Sequence, residues 1–324
     1  MLTITKYNDM LFEQWEKFIS DSNNGTIFQK QAFLQYHINR KFVDGSLIIK
    51  NKSAIVAVVP AAIKENILYS HPGSSYGGIV LSHNLDFKMI HEILNVIDEY
   101  CIAQRYKALF LINSPSIYQK KLDQSLDYLL QWNGFKQTEL YISHAVDMSK
   151  TSDLLSLLTK RKRRYINNNQ KLNSLTFEEE SYLEEFYNIL VTSKKKYNTT
   201  PTHSLDELIK LKDMFPQQIK LLVTRNENKI IGGSLIFFTN DNVALVFYNT
   251  ILDEYRESQI AMLQLYKCME IAKKYNLHWI DFGVSHTPDE ENPLAPKFSL
   301  IHFKEQFNAK GVLRIAYQKE YGDY

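Results

Sequence analysis

The chain has 324 residues, of which 44% are hydrophobic and 23% are charged, and its formal net charge at pH 7 is +2. This is the composition of a globular protein with enough apolar material for two hydrophobic cores. The near-neutral charge gives no general reason to expect binding to DNA. At roughly 100–200 residues per domain, a chain of this length is expected to form two domains.

The first half of the chain carries apolar patterns that predict the order strand, strand, strand, helix, strand, helix, strand. A polar turn at Asn51-Lys52-Ser53 separates the first two strands. The segments concerned are residues 45–63 (two strands), 77–81, 87–115 (helix and strand), 119–131 and 139–148.

The same order of elements is predicted again roughly 170 residues later. The segments are residues 220–238 (two strands), 243–250, 257–285 (helix and strand), 299–307 and 312–321. In the first of these helices the apolar residues Met262, Leu265, Tyr266 and Met269 repeat at the spacing of one helix face. The repeat favours an α/β (α+β) protein with two similar domains in tandem, each a mixed, largely antiparallel sheet flanked by helices.

A helical segment is predicted between the two copies. Ser152 is expected to cap a helix over residues 153–172, and a second helix is expected over residues 180–196. The predicted division is an N-terminal domain at 1–150, a helical interdomain linker at 151–199 and a C-terminal domain at 200–324.

Two features of the sequence bear on its location. The N-terminal residues lack a basic segment followed by an apolar one, so no secretory signal is expected. Residues 54–63 form the most apolar stretch, which contains Pro60 and is too short to span a bilayer. We therefore expect a cytoplasmic protein without a transmembrane segment, and transient contact with a membrane surface stays open.

Four segments carry a resemblance to a known family. They are "SSYGGIV" (74–80), "KRKRRYINNNQK" (160–171), "IDFGVS" (280–285) and "FKEQFNAKG" (303–311). In their order and spacing they resemble the Fem-type peptidyltransferases and their FemAB-like relatives, which consist of two tandem GNAT-fold domains. The resemblance implies an N-acyltransferase that joins an activated acyl group to an amine. The true Fem enzymes transfer amino acids from aminoacyl-tRNA to the peptide of a peptidoglycan precursor, and distant relatives act on surface-polysaccharide precursors.

The resemblance identifies a candidate catalytic pair. When an amine attacks a carbonyl group, the intermediate carries a negative oxygen that needs a cation, and the amine must lose a proton. By resemblance Lys304 is the cation and Phe303 packs beside it; the alternative is a solvated lysine on an amphipathic helix. Asp281 could accept a proton or orient Lys304, or it could organise the turn that follows it.

The glycine-rich segment of the first half is a candidate part of the substrate site. Ser75 matches the G-x-S-x-G elbow of serine hydrolases, but a strand follows it where that motif requires a helix. We therefore expect Ser75, Tyr76 and Gly77 to line a substrate cleft, because glycine lets the backbone approach a ligand closely. This segment, the basic helix and the segment around Lys304 are expected to converge on one cleft between the domains.

The consecutive cations at residues 160–164 are a candidate phosphate-binding surface. Arg163 and Arg164 could bind a pyrophosphate or a tRNA backbone, and the alternative is a solvated helix face. Lys196 and Tyr197, just before a loop, are further candidates for substrate binding. The remaining candidates are Tyr248 and Ser285.

The phosphate-binding loop of acyl-CoA-dependent GNAT enzymes is degraded in this chain. Residues 256–261 keep Arg256 and Ala261, but Gln259 replaces the glycine that lets a phosphate approach the helix N-terminus. Asn308 likewise replaces the last glycine of the family's Phe-Lys-x-x-Phe-Gly segment, although asparagine also tolerates left-handed backbone.

The expected substrates follow from the resemblance. The donor is aminoacyl-tRNA or acyl-CoA, used as a co-substrate, and Gln259 weakens the case for coenzyme A; no tightly bound cofactor and no metal are expected. The acceptor is a small molecule or precursor with a primary amine, on a peptidoglycan precursor or a surface-polysaccharide intermediate. The alternatives are an acyl-CoA-dependent N-acyltransferase that acts on an amino sugar nucleotide and a catalytically silent cleft-binding protein.

Overall fold

The computed structural model describes residues 1–169, 175–179, 182–196, 198–286 and 291–322. The chain divides into two compact units, Met1–Tyr141 with Leu313–Tyr324 and Ile142–Val312. Within the described residues the strands are β1 (Leu2–Lys6), β2 (Val43–Asp44), β3 (Leu47–Asn51), β4 (Ala54–Val59), β5 (Ala61–Lys64), β6 (Ile67–Ser70), β7 (Val80–Leu81), β8 (Ala108–Ile112), β9 (Lys136–Asp147), β10 (Leu175–Glu179), β11 (Ile219–Asn226), β12 (Lys229–Phe238), β13 (Val243–Ile251), β14 (Trp279–Val284) and β15 (Lys310–Glu320). The α-helices are α1 (Phe12–Asp21), α2 (Gln31–Leu34), α3 (Phe87–Ala103), α4 (Ser125–Trp132), α5 (Lys160–Asn169), α6 (Leu183–Lys195), α7 (Leu205–Met214), α8 (Ile260–Lys274) and α9 (Phe298–Glu305).

The first unit contains two groups of paired strands. One has the order β1-β3-β4-β7, and the other has the order β15-β8-β6-β5-β2. The pairs are antiparallel except for β6 and β8, which run parallel. Helix α3 begins after Asp86, whose carboxylate accepts the Met89 N–H at 2.7 Å. The apolar face of this helix packs into the core of the unit through Ile90, Ile93, Leu94 and Ile97.

The second unit contains a sheet of order β10-β11-β12-β13-β14-β9. Strands β13 and β14 run parallel and pair only from Val243 opposite Trp279 to Leu245 opposite Asp281. Just beyond this point the β12–β13 register shifts, so that Phe247 is an extra residue on β13. A bulge bends its strand, and β13 and β14 part here.

The predicted fold class is confirmed: mixed, mostly antiparallel sheets are flanked by helices. The periodicity of α8 also predicted its buried face, since Met262, Leu265, Tyr266 and Met269 are all at most 5% exposed. No helix among the described residues is long and apolar enough to cross a membrane.

The two units differ from the predicted divisions 1–150, 151–199 and 200–324. The C-terminal residues from Leu313 belong to the first unit, because β15 pairs with β8 from Ala316 to Glu320. The described residues of the segment 151–199 belong to the second unit, where Leu154, Leu158 and Ile166 are part of its hydrophobic core.

The helix predicted over residues 153–172 is interrupted. Asp153, in place of Ser152, caps a short 3₁₀ turn at Leu154–Leu157 by accepting the Leu155 N–H at 3.0 Å. Leu158 then adopts an extended conformation that ends the turn, and α5 begins at Lys160. Residues 170–172 of the predicted helix lie outside the described residues.

Candidate active site

A cleft of about 400 Å³ opens in the second unit where β13 and β14 part. Its described walls come from α6, β13, α8, β14 and α9 and the segment before α8. The lining residues include the cations Lys194, Arg256 and Lys304, and none of those described is acidic. Tyr248 and Phe303 add aromatic surface. A site of this size and charge suits a ligand that carries both an apolar or aromatic part and negative charge.

Lys304 lines this cleft from α9, yet its side chain is only 4% exposed. Its Nζ donates hydrogen bonds to the carbonyl oxygens of Gly283 (2.7 Å) and Val284 (3.0 Å) and to Ser285 Oγ (2.9 Å). Burial lowers the pKa of Lys304 to about 8, although the nearby charge of Asp281 acts in the opposite direction. The alternative of a solvated lysine is therefore wrong, and at neutral pH the cleft wall carries a largely protonated ammonium.

Gly283 gives β14 the backbone shape that this arrangement needs. Its φ is +75°, in the left-handed region that favours glycine. The Gly283 N–H donates to Asp281 Oδ1 at 2.7 Å, so the carboxylate fixes the turn whose carbonyl groups hold Lys304.

Asp281 is fully buried and is not among the residues that line the cleft. Its Oδ1 also accepts a hydrogen bond from the Ser143 hydroxyl of β9. These contacts support the interpretation of Asp281 as the residue that organises the turn, and its charge favours the protonated form of Lys304. A direct role as the proton acceptor stays a prediction.

Ser285 follows β14 and is fully buried. Besides accepting from Lys304, its Oγ lies 3.0 Å from His144 Nδ1 on β9. His144 is also buried, and this burial, together with the charge of Lys304, lowers the pKa of its imidazole. Ser285 is thus placed against the candidate catalytic lysine; substrate binding by Ser285 stays a prediction.

The aromatic pair around Lys304 anchors the end of α9. Phe307 is fully buried and makes edge-on contacts with Phe282 and Phe303, with ring centres at 5.3 and 5.8 Å. Phe303 is half-buried, packs against the core and lines the cleft. The helix ends before Phe307, and Asn308 adopts φ +62°, so asparagine does form the left-handed turn in place of glycine.

The residue that precedes α8, Gln259, contacts a lysine of α5 through its side chain. Gln259 has φ +53°, a left-handed conformation that favours glycine, and its Oε1 accepts a hydrogen bond from Lys162 Nζ at 2.7 Å. Lys162 is 7% exposed, and its Nζ lies 5.9 Å from the centre of the Phe303 ring. Sequence reasoning missed Lys162, although its position four residues before the apolar Ile166 placed it on the buried face of α5.

The predicted residues of the basic helix and the following loop are more exposed. Arg163 is half-buried, Arg164 is exposed, and neither lines the cleft. Lys196 is exposed and forms an ion pair with Asp253. Tyr197 lies outside the described residues.

Tyr248 lines the cleft, and its hydroxyl group is held by the segment before α7. The hydroxyl oxygen accepts the Thr202 N–H at 3.0 Å and lies 3.0 Å from His203 Nδ1. Burial raises the pKa of this phenol. Of the predicted residues, the structure therefore brings Lys304, Phe303 and Tyr248 to one cleft.

Ser75, Tyr76 and Gly77 belong to the first unit. Ser75 is half-buried, and Tyr76 is 4% exposed with its ring packed on Tyr118. A Cβ atom at Gly77 would lie 2.5 Å from the backbone nitrogen of His71, so this glycine is required by the packing of its own loop. The convergence of this segment with Lys304 stays a prediction.

Two further residues of the site had no clear signal in the sequence. His144 lies inside an ordinary strand pattern, and only the pairing of β9 with β14 brings it to Ser285. Lys194 is the first of three consecutive lysines at the end of α6, and the orientation of the helix decides which of them lines the cleft.

Solved structures share this fold. FemX matches with a TM-score of 0.72 over 98% of this chain and 97% of its own, at 12% identity. A C-terminal domain assigned to a lysylphosphatidylglycerol synthetase of Agrobacterium fabrum matches with a TM-score of 0.58 over 96% and 92%, at 13% identity. A tandem GNAT protein from the clavulanic acid biosynthesis pathway matches with a TM-score of 0.56 over 100% of both chains, at 8% identity.

No protein-family model and no curated protein matches the sequence. The three structural matches nevertheless cover nearly the whole of this chain, and one of them is a tandem GNAT protein. The chain therefore has the FemX-like tandem GNAT fold that its sequence resemblance predicted.

Proposed function

We propose that the chain is an acyltransferase that forms an amide bond between an activated acyl or aminoacyl donor and a primary amine. The observation that carries this proposal is the Lys304 ammonium, held by three acceptors at the wall of a cleft that opens between two parting parallel strands. A preorganised cation at such a position suits a reaction in which negative charge develops on a carbonyl oxygen.

In the proposed reaction the amine nitrogen attacks the donor carbonyl carbon, and the carbonyl oxygen becomes negatively charged. This oxyanion accepts a hydrogen bond from Lys304 and replaces the Val284 carbonyl oxygen, the most distant of the three acceptors at 3.0 Å. The bond to the leaving oxygen or sulfur then breaks, and the proton lost by the amine balances the charge of the leaving group. Asp281 holds the turn under Lys304 throughout.

The cleft favours aminoacyl-tRNA over acyl-CoA as the donor. Lys194 and Lys304 give the lining a positive charge, which suits the phosphates of either donor, whereas Arg256 forms an ion pair with Asp253 at 2.8 Å. In an acyl-CoA enzyme, however, the pyrophosphate sits on the helix N-terminus where Gln259 and Lys162 bind one another. We therefore propose that the aminoacyl ester of the donor binds at Lys304 and that the reaction needs no tightly bound cofactor.

The proposed acceptor is a precursor with a primary amine, of the peptidoglycan or surface-polysaccharide type. This follows from the likeness of the fold to FemX together with the family resemblance of the four sequence segments. We place the reaction in the cytoplasm, where aminoacyl-tRNA and soluble cell-wall precursors are both present, with transient contact with a membrane surface when the acceptor is lipid-linked.

The test is a panel of donors and acceptors with mass detection of the product. The purified chain is incubated with tRNA charged with labelled amino acids, or with acetyl-CoA, and with a peptidoglycan-precursor peptide or an amino sugar nucleotide. The proposal expects the acceptor peptide to gain the mass of one aminoacyl residue. Transfer from acetyl-CoA to the sugar nucleotide would favour the alternative transferase, and binding without transfer would favour a silent binding protein.

A further inference from the structure

The hydrogen bonds around Ser285 determine where its proton lies. Among the described residues, the Ser285 hydroxyl contacts Lys304 Nζ at 2.9 Å and His144 Nδ1 at 3.0 Å. A lysine ammonium is only a donor, so Ser285 Oγ accepts from Lys304, and His144 Nδ1 is the acceptor within reach of the Ser285 proton. This arrangement requires a neutral His144 with Nδ1 unprotonated and the proton on Nε2.

The chain of contacts from Lys304 to Ser285 to His144 is fully inside the second unit and shielded from water. The three residues are 4%, 0% and 4% exposed. The neighbouring residue on β9, Ser143, donates to Asp281, which fixes the turn under Lys304. The next residue, His144, contacts Ser285, which is the side-chain acceptor of Lys304. Hydrogen bonds within a buried network hold its members in one geometry.

We propose that His144 is a positioning residue of the proposed reaction. Through the hydroxyl group of Ser285 it fixes the orientation of the Lys304 ammonium, and protonation of His144 disrupts this orientation. The inference rests on the proposed function for its catalytic consequence, but the hydrogen-bond direction it requires is a property of the free protein.

Protonation reverses the polarity of the network. A charged His144 donates through Nδ1, so Ser285 Oγ receives two donors and its own proton loses its described acceptor. The charged groups that act on His144 are Lys304, which opposes its protonation, and Glu305 and Asp281, which favour it. Two positive charges then lie close together in a buried site and donate to the same hydroxyl oxygen, which weakens the hold of Ser285 on Lys304.

The first experiment needs no substrate. Nitrogen-15 NMR of imidazole-labelled protein reports which ring nitrogen carries the proton, and carbon-13 NMR of labelled lysine follows the ionisation of Lys304 with pH. We expect the Nε2–H form of His144 near neutral pH, and a downward shift of the Lys304 titration in Ser285→Ala, which removes one acceptor of the ammonium. A proton on Nδ1 of the neutral ring, or an unchanged Lys304 titration in Ser285→Ala, would overturn the inference.

The second experiment separates orientation from mere packing. His144→Asn places an amide oxygen near the position of Nδ1, whereas His144→Phe removes the acceptor, and His278→Phe on the surface is the matched control. We expect His144→Phe to lower kcat about tenfold at neutral pH with little change in KM, as for loss of one buried hydrogen bond. His144→Asn should keep kcat near the wild-type value. The activity of the wild type should decline at acidic pH as His144 becomes protonated, and the activity of His144→Asn should not.

The outcomes distinguish the two proposals. If the NMR results are as expected and no donor supports transfer, the proposed function fails and the network assignment stands. If transfer occurs but His144→Phe keeps the wild-type kcat and pH profile, the positioning role is wrong and the proposed function stands.

Discussion

Replacing Lys304 with methionine should change the pH dependence of stability in a defined direction. Burial lowers the pKa of Lys304 from its ordinary value of 10.5 to about 8 in the folded chain. At pH 7 this difference lowers the free energy of unfolding by roughly 3 kcal/mol, because the charged form of Lys304 is less favourable in the folded chain than in the unfolded chain. Methionine removes this cost but leaves the Gly283 and Val284 carbonyl groups and Ser285 Oγ without the donor they now have, so Lys304→Met should have only a small effect on stability at pH 7.

The sign of the pH effect follows from proton binding. Between about pH 8 and pH 10.5 the unfolded chain holds a proton on Lys304 that the folded chain has lost, so the free energy of unfolding rises with pH. From pH 7 to pH 10 the wild type should gain about 2 kcal/mol relative to Lys304→Met.

The assay is urea unfolding of both proteins at several pH values, with the exposed Lys310→Met as the matched control. The control should follow the wild type over the whole range. Parallel curves for the wild type and Lys304→Met would refute the argument, because they would mean that the ammonium of Lys304 is as well solvated in the folded chain as in water.

Three further changes have definite expected results. Gly283→Ala should lower the free energy of unfolding by about 1–2 kcal/mol, because φ +75° is strained for alanine; an unchanged urea midpoint would contradict this. Phe307→Ala should lower the free energy of unfolding by about 3–5 kcal/mol, because the ring is fully buried. Phe298→Ala, at a side chain that is 77% exposed, should have little effect, and equal losses of thermal stability in the two variants would contradict the packing described. Calorimetry should detect no tight binding of acetyl-CoA to the wild type and stronger binding to Gln259→Gly, which removes the side chain from the helix N-terminus; low-micromolar binding to the wild type, about −8 kcal/mol, would instead favour an acyl-CoA donor.

The sequence predicted the order of the main elements of the second unit and part of its core, but in the first unit it missed β1, α1 and β6. Helix periodicity placed Met262 and Met269 inside, and strand patterns located both copies of the repeat. The return of the chain to the first unit was harder to predict from the sequence. The pairing of β15 with β8 joins residues about two hundred positions apart, and no local sequence pattern indicates it.

The environment of Lys304 illustrates what a sequence pattern leaves open. An amphipathic helix with Phe303 and Phe307 on one face suggests an exposed lysine beside them, yet the carbonyl groups of β14 enclose it. That enclosure depends on a left-handed glycine and on the register between β13 and β14, both of which are tertiary features. Phe307 and not Phe303 proved to be the fully buried member of the pair.

The most direct test of the central claim is the mass of an acceptor peptide after incubation with charged tRNA. The wild type should add one aminoacyl residue to the amine, and Lys304→Met should do so about 10²–10³ times more slowly, the usual loss when one preorganised oxyanion donor is removed. Equal rates for the two proteins would contradict the role of Lys304, and an unmodified peptide with every charged tRNA would contradict aminoacyl transfer itself.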